Sequence, residues 1–361
     1  MGCASSVPKP TKSGVVAKDT GEFKIGEELA GKGSMLFCPP AVAAGSRVPS
    51  IVMVHGTAAE GWVGDAIYDA LMTKVMGRAL DYSWQGLKDL ATALAEQGFA
   101  VLVFGMPDHD EAVYEENATA IGKLENKWPC KDYSRFLGAA IDHLKSVAPK
   151  HGITVDEKRI GLVGHSMGGA GVLTAAAKDC KDKVAAVVAL NPGFHSVERP
   201  MDHVEFCKKF FTGAPHSGEN GDATESLNFL GDITAPTLIF GSQAEYNTEL
   251  MAGSGAATLW PVYTSLFEKV GSSAKELYVD NLTDNPGAKA AEGDKAAELA
   301  DGAFYAHMWP YGDEAMRKYG DGTPLAAIGN FLKRRLAGSA EAAMPKPPNA
   351  KEWVAPTAVE A

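Results

Sequence analysis

The chain has 361 residues, 45% of them hydrophobic, and a formal net charge of −11. That is enough apolar material for a substantial core, in one large domain with tails or in two modest domains. An acidic chain without a basic stripe repels phosphate backbones, which argues against a nucleic-acid partner.

Five cysteines, Cys3, Cys38, Cys130, Cys180 and Cys207, are scattered and form no CxxC pair. Neither a metal site nor a disulfide framework is expected, and reduced thiols fit an intracellular protein. No apolar run is long enough to span a bilayer, and the start lacks the apolar core of a secretory signal.

The first six residues, "MGCASS", fit the N-myristoylation pattern, with Gly2 as acceptor and Ser6 at the favoured hydroxyl position. Cys3 beside Gly2 is a candidate for palmitoylation. One acyl chain holds a protein to a membrane only marginally, and a second makes the hold durable. Lys9, Lys12 and Lys18 add a weak positive patch. The expected location is the cytoplasmic face of a membrane. The rest of 1–20 is polar, carries Pro8 and Pro10, and reads as a flexible lead. Residues 21–337 contain no linker that would split a domain. The Ala- and Pro-rich tail 338–361 reads as disordered.

Within 21–337, short apolar runs alternate with helical patterns. The strand-like runs are 50–56 (SIVMVHG), 99–105 (FAVLVFG), 159–165 (RIGLVGH), 184–190 (VAAVVAL), 236–241 (PTLIFG) and 275–280 (KELYVD). Apolar positions at helical spacing predict helices over 83–98, opening at Ser83, and over 132–148, 168–179 and 324–338. Strands and helices in this order predict an α/β fold, a mainly parallel sheet with helices on both faces.

Gly164-His165-Ser166-Met167-Gly168 is G-x-S-x-G, set between an apolar strand and a helix of small residues. That is the context of a nucleophile elbow, where glycines relieve crowding around a strained serine. A lone serine is a weak nucleophile and needs a base. Around such an elbow, an acid and then a histidine follow the serine in chain order. His55, His109, His143, His151 and His165 precede Ser166, and His195, His203 and His216 precede the 236–241 strand. His307 alone follows that strand. Glu245 is the first carboxylate after the strand and the favoured acid. Glu249 is the next, and Asp280 and Asp284 stand after the following strand. A glutamate can orient the histidine as an aspartate does. The oxyanion donors expected from the same geometry are the backbone N–H groups of Met167 and Thr57. Trp62, Met106, Met167, Trp309 and Tyr311 are candidate lining of an acyl pocket.

The stretches "IVMVHGTAAEGW", "LATALAEQGFAVLVFG", "KRIGLVGHSMGGAGVLTAAA", "APTLIFGSQAEYNT" and "AIGNFLKRRL" resemble the α/β-hydrolase superfamily. Within it they are similar to the dienelactone hydrolase, chlorophyllase and cutinase-like polyester hydrolase group, with platelet-activating-factor acetylhydrolases as relatives. The resemblance implies the α/β-hydrolase fold and ester hydrolysis by Ser166, His307 and Glu245, without metal or cofactor. It departs at Glu245, where such proteins usually carry aspartate. Residues 58–82 and 281–306 are longer than the common loops, and 195–232 lies where this fold often carries a lid. The expected activity is a serine carboxylic-ester hydrolase acting on a small-molecule or lipid ester brought to it at a membrane. An acyl thioesterase uses the same parts, and a fold kept as a non-catalytic binding module is the remaining alternative.

The position of the acid is testable. Glu245→Gln is expected to lower ester turnover at least about a hundredfold, and Glu249→Gln to leave it nearly unchanged. The reverse ranking in steady-state assays would move the acid to Glu249.

Overall fold

The computed structural model describes residues 14–25, 29–30, 33–43, 45–56, 84–105, 130–192, 225–242, 263, 266–280, 309–311 and 323–339. Its centre is an eight-stranded sheet. The strands are β1 (Val16–Asp19), β4 (Gly33–Cys38), β5 (Arg47–Val54), β6 (Ala100–Gly105), β7 (Thr154–His165), β8 (Ala186–Leu190), β9 (Thr237–Ser242) and β10 (Lys275–Asp280). The short strands β2 (Lys24–Ile25) and β3 (Leu29–Ala30) form a separate antiparallel pair. The order across the main sheet is β1-β4-β6-β5-β7-β8-β9-β10. Only β4 runs against the rest, pairing antiparallel with β1 and β6.

All six expected strands are present. The run at 159–165 begins earlier than its apolar pattern, at Thr154. The charged residues Asp156, Glu157 and Lys158 interrupt the pattern at an irregularity, where β5 shifts register between Val48 and Ser50. β1 and β4 add to the sheet beyond expectation. β1 lies inside the stretch 1–20 that reads as a flexible lead, and its two charged residues hide any apolar alternation.

Among the described residues four helices cover the two faces, because strand side chains alternate. Val52, Val54, Leu162, Val187 and Ala189 point to the face holding α2 (Cys130–Val147) and α3 (Met167–Ala177). Ile51, Met53, Val163, Val188 and Leu190 point to the face holding α1 (Lys88–Ala95) and α4 (Thr323–Leu332). The helix expected from Ser83 opens as a 3-10 turn at Trp84–Leu87 before α1. A π-helical turn, Lys333–Ala337, extends α4, and Gly338 closes it at φ 69°. Left-handed backbone at a helix end is where glycine costs least.

α4 is held by Ile328, Phe331, Leu332 and Leu336, each 1% exposed or less. Each contributes about 1.5–3 kcal/mol by burial. The ion pairs of Arg334 and Arg335 with Glu276, at 2.6 and 3.0 Å, are partly exposed and contribute about 0–1 kcal/mol each. Apolar packing therefore sets the docking, and the ion pairs align the end of the helix with β10.

The antiparallel edge is tied to α2 through Ser34. Its hydroxyl has one hydrogen, which goes to the Gly21 carbonyl at 2.6 Å, since a carbonyl only accepts. Thr20 Oγ1 at 2.7 Å and His143 Nε2 at 3.1 Å therefore donate to Ser34. Burial, with Lys150 nearby, pushes the His143 pKa down and favours the neutral ring.

Of the stretch 195–232 suggested as a lid, only Glu225–Asp232 is described. It forms a 3-10 segment whose Leu230 is fully buried in the core. Among the described residues no helix is long and apolar enough to cross a membrane.

Candidate active site

Ser166 stands between β7 and α3 at φ 54° and ψ −118°. The described non-glycine residues with positive φ are Ser166 and Asn191 (φ 42°), at the ends of the adjacent strands β7 and β8. Such backbone costs about 1–3 kcal/mol per residue and persists only where its surroundings enforce it. The enforcement is visible. Ser166 N–H donates to Leu190 O at 2.8 Å, and Ala170 N–H returns to Ser166 O at 3.1 Å. The Ser166 hydroxyl makes no cap bond to the helix it precedes.

Four glycines let the chain close this tightly. A Cβ on Gly164 would strike the Gly168 carbonyl, with Val172 Cγ1 at 2.8 Å. A Cβ on Gly168 would strike the His55 carbonyl, with Val54 O at 2.8 Å. On Gly169 it would meet Pro192 Cα at 2.9 Å, and on Gly56 it would meet Ser166 Cβ at 2.9 Å. The small-residue helix α3 follows from the same crowding. Residues 168–176 of it are buried throughout. Its first-turn amides, Met167 N–H among them, have no intrahelical acceptor and carry the positive end of the helix dipole.

The end of β5 forms the second wall. His55 and Gly56 follow Val54, and both are buried. His55 Nδ1 lies 2.6 Å from Gly56 O, so Nδ1 carries the hydrogen. Gly56 N–H donates to Tyr311 Oη at 2.7 Å. Tyr311 Oη is also 3.1 Å from His165 Nδ1, and the two rings meet edge to face at 5.0 Å and 77°.

Trp309 and Tyr311, expected to line a pocket, are 1% and 4% exposed. They flank Pro310 in a 3-10 turn, with their polar atoms turned to protein partners. Trp309 Nε1 donates to Asn191 Oδ1 at 3.4 Å, and its indole packs on Phe240. Among the described residues Asn191 Nδ2 is buried without a hydrogen-bond partner, an arrangement costing about 1–3 kcal/mol. Sequence reasoning passed over Asn191 and Gly169. The only signals were glycine after the elbow and Asn-Pro at a strand end.

Ser166 is half-buried at the sheet edge, and Met167 opens α3. Asp280, a fallback acid, is the last residue of β10. Thr57, Trp62, Met106, Glu245, His307 and the acylation pair Gly2 and Cys3 lie outside the described residues, as do Glu249 and Asp284. β9 ends at Ser242, just ahead of Glu245, and Trp309 comes shortly after His307. Among the described residues no group of His, Cys, Asp and Glu has the arrangement to hold a metal. Two cysteines have unreactive surroundings: burial pushes the Cys38 thiol up and the Cys180 thiol to about 12.

A family model described as alpha/beta hydrolase fold matches residues 49–214, which include most of β5, the elbow and β8. The mainly parallel eight-stranded sheet with helices on both faces has the α/β-hydrolase fold. No curated protein matches its sequence. Among solved structures, one described as a dienelactone hydrolase from Klebsiella pneumoniae subsp. pneumoniae MGH 78578 is 16% identical. That match covers 82% of this chain and 98% of the other, at a TM-score of 0.41. Acylaminoacyl peptidase from Pyrococcus horikoshii is 15% identical over 91% of this chain and 43% of its own, at 0.49. An acylaminoacyl peptidase in complex with Z-Gly-Gly-Phe-chloromethyl ketone is 14% identical over 89% and 42%, at 0.48. The chain thus spans under half the length of the two peptidases. At these identities and scores the likenesses transfer no activity to it.

The elbow's need for glycine is measurable. Gly168→Ala drives a methyl into rigid backbone carbonyls and is expected to cost about 3 kcal/mol or more. Gly138→Ala, inside α2 with its nearest neighbour Cys180 Sγ at 3.8 Å, is expected to be neutral or stabilising by up to about 1 kcal/mol. Urea unfolding of the two variants checks the contrast, and equal midpoints would contradict the crowding.

Proposed function

We propose that the protein is a serine carboxylic-ester hydrolase acting on a lipophilic ester. The observation that carries this reading is Ser166 at φ 54° on the turn from β7 into the buried helix α3. Backbone strain persists where the surroundings over-determine it, and here four glycines do so around a hydroxyl that caps no helix.

In this reading Ser166 Oγ attacks the acyl carbon while His307 takes its proton. The carbonyl oxygen gains the negative charge and is held by the Met167 and Thr57 amides. Glu245 orients His307 and stabilises its cation. Collapse breaks the bond to the alkoxy oxygen, and His307 returns the proton to the leaving alcohol. Water then attacks the acyl-enzyme, giving one proton to His307. The carboxylic acid leaves as Ser166 regains its proton. Every step is acid–base and acyl-transfer chemistry that side chains and backbone amides supply. Trp62 and Met106 are the proposed contacts of the acyl group.

The proposed location is a membrane surface, reached by acyl chains on Gly2 and Cys3. An enzyme confined to the surface meets membrane-dissolved esters in two dimensions.

Two measurements test these readings separately. A fluorophosphonate probe is expected to label the wild type and not Ser166→Ala. A folded wild type that takes no label would refute the hydrolase reading. Gly2→Ala, expressed in a eukaryotic cell, is expected to shift the protein from the membrane fraction to the supernatant. An unchanged distribution would refute the anchor alone.

A further inference from the structure

We propose that Tyr311 is a positioning residue for this reaction, tying the segment after the base to the oxyanion turn and the elbow. The proposal rests on the esterase reading above. Tyr311 stands four residues after His307. Its hydroxyl meets Gly56, 255 residues away in sequence, and His165, 146 residues away. One phenol oxygen therefore joins three segments: the turn after the base, the end of β5, and the residue beside the nucleophile.

The consequence follows from peptide geometry. Glycine moves through φ and ψ more freely than any other residue, yet a catalytic donor has to be held within about 0.5 Å. At Gly56 both torsions are restrained. Tyr311 Oη holds its N–H at 2.7 Å, and His55 Nδ1–H holds its C=O at 2.6 Å. The next amide along the chain is that of Thr57, the candidate oxyanion donor. A trans peptide directs its N–H opposite to its C=O, so the torsions of Gly56 set the aim of that amide. A water molecule would satisfy the Gly56 N–H equally well but would anchor it to nothing.

The donor and acceptor roles agree. The phenol oxygen accepts from Gly56 N–H, and its own hydrogen is available to His165 Nδ1. With Gly56 and His165 as partners among the described residues and 4% exposure, the hydroxyl is committed to protein rather than presented to a ligand. The residue therefore acts on the transition state, where the oxyanion forms, and not on substrate affinity.

Tyr311→Phe keeps the ring packed on His165 and removes only the hydroxyl. With a chromogenic short-chain ester, kcat per active site titrated with fluorophosphonate is expected to fall about tenfold to a hundredfold. That is less than deletion of an oxyanion donor costs. KM is expected to stay within about twofold. Affinity for a trifluoromethyl ketone, whose serine adduct carries the oxyanion, is expected to fall in parallel with kcat. Unchanged kcat, or raised KM at unchanged kcat, overturns the proposal and leaves the esterase reading standing. A wild type that neither labels nor hydrolyses esters overturns both. Hydrogen exchange in the wild type needs no variant: the Gly56 amide is expected to be protected, and rapid exchange there overturns the proposal.

Discussion

The structure turns on how closely the backbone approaches itself at the C-terminal ends of β5, β7 and β8. Gly56 faces Ser166, Gly168 faces the carbonyls of Val54 and His55, and Gly169 faces Pro192. None of these contacts leaves room for a Cβ. Ser166 is thereby held in positive-φ backbone that a non-glycine residue rarely adopts. Crowding also explains the make-up of α3, whose Gly, Ala and Val residues let it lie close against both the sheet and α2. A larger residue on the buried side would push the helix away and open the turn.

The surrounding layers hold that edge in place. The strands β5 to β8 are apolar on both faces because helices cover both. Side chains of successive residues feed opposite layers, so one strand clamps α2 and α3 on one side and α1 and α4 on the other. The turn Trp309–Tyr311 belongs to the α1 and α4 layer. From there it reaches the ends of three strands, through Asn191 after β8, His165 on β7 and Gly56 after β5. Tertiary hydrogen bonds thus join the pieces that chain order sets far apart. Solvent-exposed ion pairs, such as Lys145 with Glu157 at 2.9 Å, contribute little beside this packing.

Legibility in the sequence tracked the range of the interactions. The elbow was readable because strand, G-x-S-x-G and helix are contiguous, and its strain is a local property of the turn. β5, β6, β8 and β9 were readable because their central residues are buried on both faces and almost purely apolar, β7 was readable from its apolar half Ile160–Val163, and β10 from Leu277-Tyr278-Val279 between charged ends. β1 and β4 were not. β1 carries Lys18 and Asp19, and β4 is a short run whose Ser34 is a buried polar hub rather than a surface residue. Ser34 and His143 are separated by 109 residues, and neither sits in a pattern that announces the other.

Trp309 and Tyr311 make the same point. Their sequence context, two aromatics just after the histidine, suggests a wall for substrate, and only their contacts reveal polar atoms engaged with Asn191, Gly56 and His165. The sequence by itself determined the α/β architecture, the elbow at Ser166 and the glycines that permit it, since periodicity and turn chemistry act over a few residues. Tertiary structure decided the antiparallel edge, the burial of the Trp309–Tyr311 turn and the clamp on Gly56. Those depend on which distant segments share a face of the sheet, and no local pattern encodes that.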